Sequence, residues 1–493
     1  MFEEKKAEWL RIAERLKPTL HRETVRPVCG MPDHALAENE CIVLDFGNHF
    51  VGHLTLRLSS QGSHPDAPVW LAVKFCENAR ELNETLDGYT GWISKGWVQQ
   101  EQVHMDVLPA VLSLPRRYAF RYVKIDVLAL SSKYQLVIED AFAEVTTSAE
   151  DTALAPLSGD AKDIAIDRVA LRTLRNCMQD FFEDGPKRDR RLWLGDLRLQ
   201  ALTNSVTYRN FDLVKRCLYL FAATADREGR IPACLFTEPK VEADDTYMFD
   251  YSLFFIPTLL QYVQATGDQA TMEDLLPLAL HQLALTDARF DPETHLIRDC
   301  DKLGWCFVDW ALPLNKQFCA QAIWIYCAEA ALQMKAVPAL EEKIVLRREA
   351  ARKHWYDRER HVFVSGADRQ VSWASQVWAV LAGIVEGEDA AACLDAAAAC
   401  PDAVPMVTPY MMHHYVEALC RVGRMAQARQ VIRDYWGAMV NQGADTYWEL
   451  FNPANPNESP YGSPVVNSFC HAWSCTPAWF LRSGILADIQ CLP

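Results

Sequence analysis

Long apolar runs, close cysteine pairs and extended basic stretches are all missing from this 493-residue chain. No run approaches the roughly 20 apolar residues needed to span a bilayer. The first residues, Met1 Phe2 Glu3 Glu4 Lys5 Lys6, lack the apolar core of a secretion signal, so a cytoplasmic protein with no membrane partner is expected. The sixteen cysteines are scattered without CxxC spacing, which argues against zinc and dithiol redox chemistry and leaves reduced, mostly buried thiols as the simpler reading. Lys and Arg number 49 against 65 Asp and Glu, a net charge of −16, and the only dense basic cluster is Lys187, Arg188, Arg190, Arg191. Such a surface repels a phosphate backbone, so nucleic acid is not an expected partner.

What the chain does have is the composition of a folded protein, half apolar and 23% charged. Its length exceeds the roughly 250–300 residues that one core supports, which predicts two domains. Between about residues 40 and 147, Val43–Gly47, Leu54–Leu58, Val69–Phe75, Tyr122–Val127 and Ala141–Val145 show period-two alternation or β-branched runs separated by turn residues. They predict a β-sandwich within residues 1–155, preceded by a short leading helix. From about Asp163 the apolar spacing becomes helical, as in Ala165–Phe182, Tyr251–Thr266, Ala320–Met334, Met411–Val422 and Met425–Val440. Gly stops and Asp starts punctuate these segments, as at Thr266 Gly267 Asp268 and at Gly423. The second unit, residues 156–493, has room for about a dozen helices of ordinary length. A closed double ring fits that number, and the lack of a fixed 30–45-residue repeat disfavours a solenoid without excluding it.

Chemistry concentrates in two stretches. Glu183 to Asp196 mixes acids, arginines and Trp193 where Gly185 and Pro186 interrupt helix. A glycosidase needs such a mixture: one carboxylic acid protonates the leaving oxygen while other acids and an aromatic plane hold the sugar. The plainer reading is a solvated turn of Asp–Arg pairs worth at most about 1 kcal/mol each. Near the C-terminus, Gly443 to Leu450 places Glu449 among aromatics, and Asn467 to Trp473 follows with His471. Alone, Glu449 reads as a surface acid and His471 as a satisfied core histidine. Together they suit a water-activating base in a sugar site.

The stretch Asp184 to Asp196 resembles the signature of the α-L-rhamnosidases of glycoside hydrolase family 78, an Asp-x-Pro pattern followed by Arg, an acid, Trp and Asp. Gly443 to Glu449 and Ser468 to Trp473 resemble two later motifs of that family, in the same order. Upstream, Leu44 Asp45 Phe46 Gly47, Gly52, Phe75 with Glu77, and Phe120 Arg121 Tyr122 Val123 resemble its β-sandwich. The resemblance spans most of residues 40–485 and implies a β-sandwich joined to an (α/α)6 barrel, with inverting hydrolysis. By position it assigns Asp189, four residues before Trp193, as general acid and Glu449 as general base. Asp184, Arg188, Trp193, Asp196 and His471 would bind the sugar, with Asp309, Trp310 and Trp448 as further candidates. The chain departs from the pattern in carrying Asp189 where the family usually has Glu, and Leu192 where Gly precedes the Trp. It also lacks room for the extra β-domains of many relatives, so their aglycone contacts are absent or supplied by a second subunit of a homodimer.

The expectation is an exo-acting inverting hydrolase that removes terminal α-L-rhamnose from small glycosides, with no cofactor and no metal, since no HExxH-type ligand spacing occurs. Asp189 would act protonated, its pKa raised by Asp184 and Asp196 and opposed by Arg188. The alternatives are another α-glycosidase or a phosphorylase on the same barrel, and a carbohydrate-binding protein without turnover. Glu449 argues against the phosphorylase, which would need an anion site in its place.

Overall fold

The computed structural model describes residues 2–62, 66–150, 154–298, 306–456 and 458–487. Seven antiparallel strands form the β-rich N-terminal domain: β1 (His21–Val25), β2 (Cys41–Gly62), β3 (Val69–Cys76), β4 (Gln100–Met105), β5 (Ala110–Ser113), β6 (Tyr118–Ala129) and β7 (Tyr134–Thr147). They pair in the order β1-β7-β2-β6-β3-β4, with β5 on β2, so hydrogen bonding links them as one sheet. Two of the strand-like segments, Val43–Gly47 and Leu54–Leu58, belong to the single 22-residue strand β2. Gly47 to His49 reads as a turn but forms an irregularity: register on β6 shifts between Asp45 and Phe50. Gly47 lies at φ 79°, and its N–H donates to Asp45 Oδ1 at 2.7 Å. From Gly52 onward β2 changes partners to β7 and then β5, folding the sheet around a core of Leu44, Phe46, Leu54, Leu56, Phe75, Phe120 and Val123.

The rest is helical: α2 (Ala161–Cys177), α3 (Leu194–Val206), α4 (Phe211–Thr224), α5 (Phe249–Thr266), α6 (Gln269–Asp287), α7 (Gln317–Met334), α8 (Pro338–Trp355), α9 (Trp373–Leu381), α10 (Gly387–Ala399), α11 (Pro409–Arg421), α12 (Met425–Asn441) and α13 (Pro477–Arg482). Helices α3, α5, α7, α9 and α11 touch in succession, α13 contacts α3, and the turn Ala472–Ser474 bridges α11 to α3. Around them α4, α6, α8, α10, α12 and α2 pack on members of that series. Sequence anticipates the division of labour. Helix α7 is apolar nearly all round and is buried nearly all round, whereas α8 exposes most of its Glu, Lys and Arg side chains. The α5–α6 junction follows the punctuation: Gly267 closes α5 at φ 72°, and the Asp268 side chain caps α6 by accepting from the Thr271 N–H.

The leading helix α1 (Glu3–Arg15) sits on α4 rather than on the sheet. It buries Trp9 and Ala13 in the helical core, and the Trp9 indole donates to Asp274 Oδ2 at 2.8 Å. No described helix is long and apolar enough to cross a membrane. The described cysteines are free thiols, most of them buried, with Cys29 and Cys41 exposed.

Candidate active site

Inner helices α3 and α5 begin at one end of the helical domain, where their first turns and five loops surround a cavity of about 260 Å³. Its wall includes Asp184, Arg188, Asp189, Trp193, Asp196, Trp310, Glu449 and His471, eight of the ten residues singled out from sequence. Segments more than 250 positions apart in the chain thus meet in one place.

The first motif folds back on its own acid. Both Asp184 oxygens accept backbone N–H groups, from Asp189 at 3.0 Å and Arg191 at 3.0 Å, which closes the Gly185–Arg190 loop. Burial, reinforced by the neighbouring Asp189 charge, holds the Asp184 carboxyl well above the usual carboxylate range. Asp189 is less enclosed, with 24% of its side chain exposed toward the cavity. Trp193 ends the short strand Leu192–Trp193, which pairs with Cys234–Phe236, and its ring meets Tyr251 edge-on at 6.1 Å. It is half-buried, as a ring that must still meet a ligand requires.

Arg188 joins the two motifs. Its Nη2 donates to Glu449 Oε2 at 2.8 Å, its Nη1 lies 3.9 Å from Asp189 Oδ1, and the guanidinium stacks over Tyr461 at 4.3 Å. Because both nitrogens belong to one small planar fork, these two distances keep Asp189 Oδ1 and Glu449 Oε2 within about 9 Å of each other. The second Glu449 oxygen accepts from the Tyr461 hydroxyl. Burial alone would raise the Glu449 carboxyl, but Arg188, His471 and Tyr461 together hold it below its ordinary value. Glu449 is therefore a buried, ionised carboxylate.

His471 follows the opposite logic. Burial disfavours its charged form, but Asp196, Glu449 and Asp184 outweigh it and raise its pKa. Its Nε2 lies 3.1 Å from Asp196 Oδ1, yet the two are not aligned as a hydrogen bond. Both His471 ring nitrogens, Asp196 Oδ1 and Trp310 Nε1 are buried polar atoms without a hydrogen-bond partner among the described residues, and all three side chains line the cavity. Buried groups of this kind cost free energy unless a ligand or water meets them.

Two candidates stand behind the wall. Asp309 is buried and accepts from the Val407 N–H at 3.0 Å and the Thr408 hydroxyl at 2.7 Å, locking the start of α11; burial pushes its carboxyl up to about 6. Trp448 is buried between Phe451 and Phe469, with the Arg80 guanidinium 4.7 Å from its ring.

Several lining residues escaped the sequence reading. Tyr461 holds Glu449, and Trp92, 69% exposed, comes from the β-rich domain and meets Tyr461 edge-on at 5.3 Å. Tyr251, Phe307 and Trp473 also line the cavity, and Phe307 is fixed because Asp250 accepts its N–H at 2.9 Å. Among the described residues no group of three or more His, Cys, Asp or Glu side chains is placed to hold a metal ion.

Both parts of the chain resemble known proteins. Residues 17–145 match the glycosyl hydrolase family 78 alpha-rhamnosidase N-terminal domain, and residues 161–485 match the bacterial alpha-L-rhamnosidase 6 hairpin glycosidase domain. No curated protein matches the chain. Among solved structures it is similar to a rhamnosidase from Klebsiella oxytoca with rhamnose bound, at 44% identity over 97% of this chain and 98% of that one, with a TM-score of 0.94. A family 78 rhamnosidase of Bacillus sp. GL1 shares the fold at 24% identity, covering 90% of this chain and 46% of that one, TM-score 0.74. So does a Streptomyces avermitilis alpha-L-rhamnosidase complexed with L-rhamnose, at 15% identity over 95% of this chain and 44% of that one, TM-score 0.66. The chain belongs to glycosyl hydrolase family 78, the alpha-rhamnosidases, and is a glycoside hydrolase.

Proposed function

We propose that the chain is an exo-acting, inverting α-L-rhamnosidase in which Glu449 activates water and Asp189 protonates the glycosidic oxygen. The carrying observation is the ionised, buried Glu449 in one cavity with Asp189, both beside the Arg188 guanidinium. An upper separation of about 9 Å leaves room for the 6.5–9.5 Å that an intervening sugar carbon and water require. In this reading the (α/α)6 barrel of residues 156–493 closes around the site and a β-sandwich domain, residues 1–155, abuts it. A cytoplasmic location fits the free cysteines.

Glu449, held ionised, takes a proton from water as the water attacks the anomeric carbon. Asp189, at the more exposed side of the cavity, gives its proton to the departing oxygen. Asp196, His471 and Trp310 present their unpaired polar atoms to the sugar hydroxyls, and Trp193 faces an apolar side of the ring. Asp184 shapes the acid-bearing loop. Trp92 and Ile93 supply the wall met by the aglycone, so the chain's own β-rich domain takes the role otherwise expected of a second subunit. A cavity of about 260 Å³ is small for a ligand site and suits one sugar ring. Metal and cofactor have no assigned role.

Leaving-group dependence tests the assignment. Asp189→Asn should slow natural rhamnosides by roughly 100-fold or more and activated aryl rhamnosides far less, because only the former need protonation. Glu449→Gln should slow both alike. Wild-type turnover of natural rhamnosides by Asp189→Asn would remove Asp189 from the acid role.

A further inference from the structure

The sheet does more than abut the barrel. After β3 the chain enters a short helical turn, Ala79–Glu81, and the two carboxylates around it, Glu77 and Glu81, are buried against both catalytic motifs. Glu81 Oε2 accepts from Lys187 Nζ at 2.6 Å, with the two side chains 1% and 2% exposed. Its other oxygen accepts the backbone N–H groups of Glu77 at 2.8 Å and Asn78 at 3.1 Å, so its orientation is fixed. Glu77 Oε2 accepts the Phe469 N–H at 2.7 Å, in the second motif, and lies 3.7 Å from Lys187 Nζ. Its Oε1 lies 3.2 Å from His49 Nε2, while Asn176 Nδ2 donates to His49 Nδ1 at 2.7 Å, which places the imidazole proton on Nε2 facing Glu77. Lys187 completes the junction by donating to the Asn467 carbonyl at 2.8 Å.

We propose that Glu77 and Glu81 are positioning residues for the hydrolysis: through Lys187 and the Phe469 amide they hold Arg188, and so keep the Arg188–Glu449 ion pair in place. Lys187 is the residue before Arg188, so its anchoring by Glu81 sets where the Arg188 guanidinium reaches. Burial raises the Glu81 carboxyl to about 7 against the pull of Lys187, so a pair this costly to desolvate contributes little net stability and its better explanation is geometric. The groups that face Glu449 are Arg188 and Asp189 from the first motif, Tyr461 from the loop after Glu449, His471 beyond it and Asp196 from α3. Of these, Arg188 is the one that Lys187 anchors directly. Loosening it therefore raises the Glu449 pKa, and activity on the acidic side is lost at a higher pH.

The inference rests on Glu449 as base, and the test separates the two. Wild-type release of rhamnose from an aryl rhamnoside checks the proposed function by itself; the variants are then compared on whichever aryl glycoside the enzyme cleaves. Glu81→Gln keeps shape and the backbone contacts but cannot ionise toward Lys187. Its kcat should fall by about 10–100-fold with KM changed less than about threefold. The acidic limb of its kcat/KM profile should move up by about one pH unit. Lys187→Arg, which keeps the charge on a longer, planar head, should shift both in the same direction and stands in if Glu81→Gln does not fold. Unchanged kcat and limb overturn the proposal, as does a lower kcat with an unmoved limb. Failure of both variants to fold also overturns it, since the pair would then be structural.

Discussion

Removing one hydroxyl, Tyr461→Phe, isolates the electrostatics of Glu449, the proposed base. Tyr461 donates to one Glu449 oxygen while Arg188 occupies the other, and both act on a carboxylate that is 5% exposed. A hydrogen bond to a charged group contributes about 1.5–3 kcal/mol. At 1.36 kcal/mol per pKa unit, its loss raises the Glu449 pKa by about one to two units. The sign follows from the depressed pKa: Glu449 is ionised above its folded value, and weakening a contact that stabilises the anion moves that value toward neutrality. The kcat/KM profile reports the free enzyme, so its acidic limb, followed with an aryl rhamnoside across pH 3–8, should climb by that amount. A limb that stays put or falls, in an enzyme with wild-type circular dichroism, would refute the reasoning.

Three further outcomes follow from the same geometry. Trp92→Ala should raise KM about 2–10-fold for rhamnosides with bulky, flat aglycones while leaving inhibition by free rhamnose unchanged, because the ring lines the mouth rather than the sugar pocket. Asp196→Ala removes an unpaired carboxyl oxygen from the cavity wall, the one proposed to meet the sugar hydroxyls, so calorimetry should show L-rhamnose binding roughly 10–100-fold weaker. Trp9→Ala empties a site 1% exposed and drops a hydrogen bond to Asp274, which should cost about 3–5 kcal/mol in denaturant unfolding without moving KM.

The helical half was legible because its signals are local: apolar spacing of three to four, and the Gly267–Asp268 stop and start. The strand segments were legible too, but their joining was not. Gly47 and Asn48 look like a turn, and only the long-range pairing of β2 with β6 and then β7 shows a bulge within one strand. Helix α1 is expected from sequence only as a short leading helix, whereas burial of Trp9 against α4 depends on a surface distant in sequence. In the site, the two motifs stood out because acids, arginines and aromatics crowd together there. Asp309 was singled out by its Asp–Trp neighbourhood, but its carboxyl is consumed by the Val407 and Thr408 groups, which sequence spacing does not reveal. Trp92 and Tyr461 sit in loops with no periodicity, and their only signal was an aromatic between turn residues, Gly91 to Ser94 and Pro460 to Ser463. The Glu81–Lys187 contact joins positions 106 apart and left no trace in local pattern.

The central claim, that Glu449 directs water to the face opposite Asp189, is tested most directly by the anomer first released. Proton NMR of an α-L-rhamnoside digest, read within the first minutes before mutarotation, should show β-L-rhamnose appearing first and the α-anomer growing in later. Initial formation of α-L-rhamnose would mean retention through a covalent intermediate and would contradict the account.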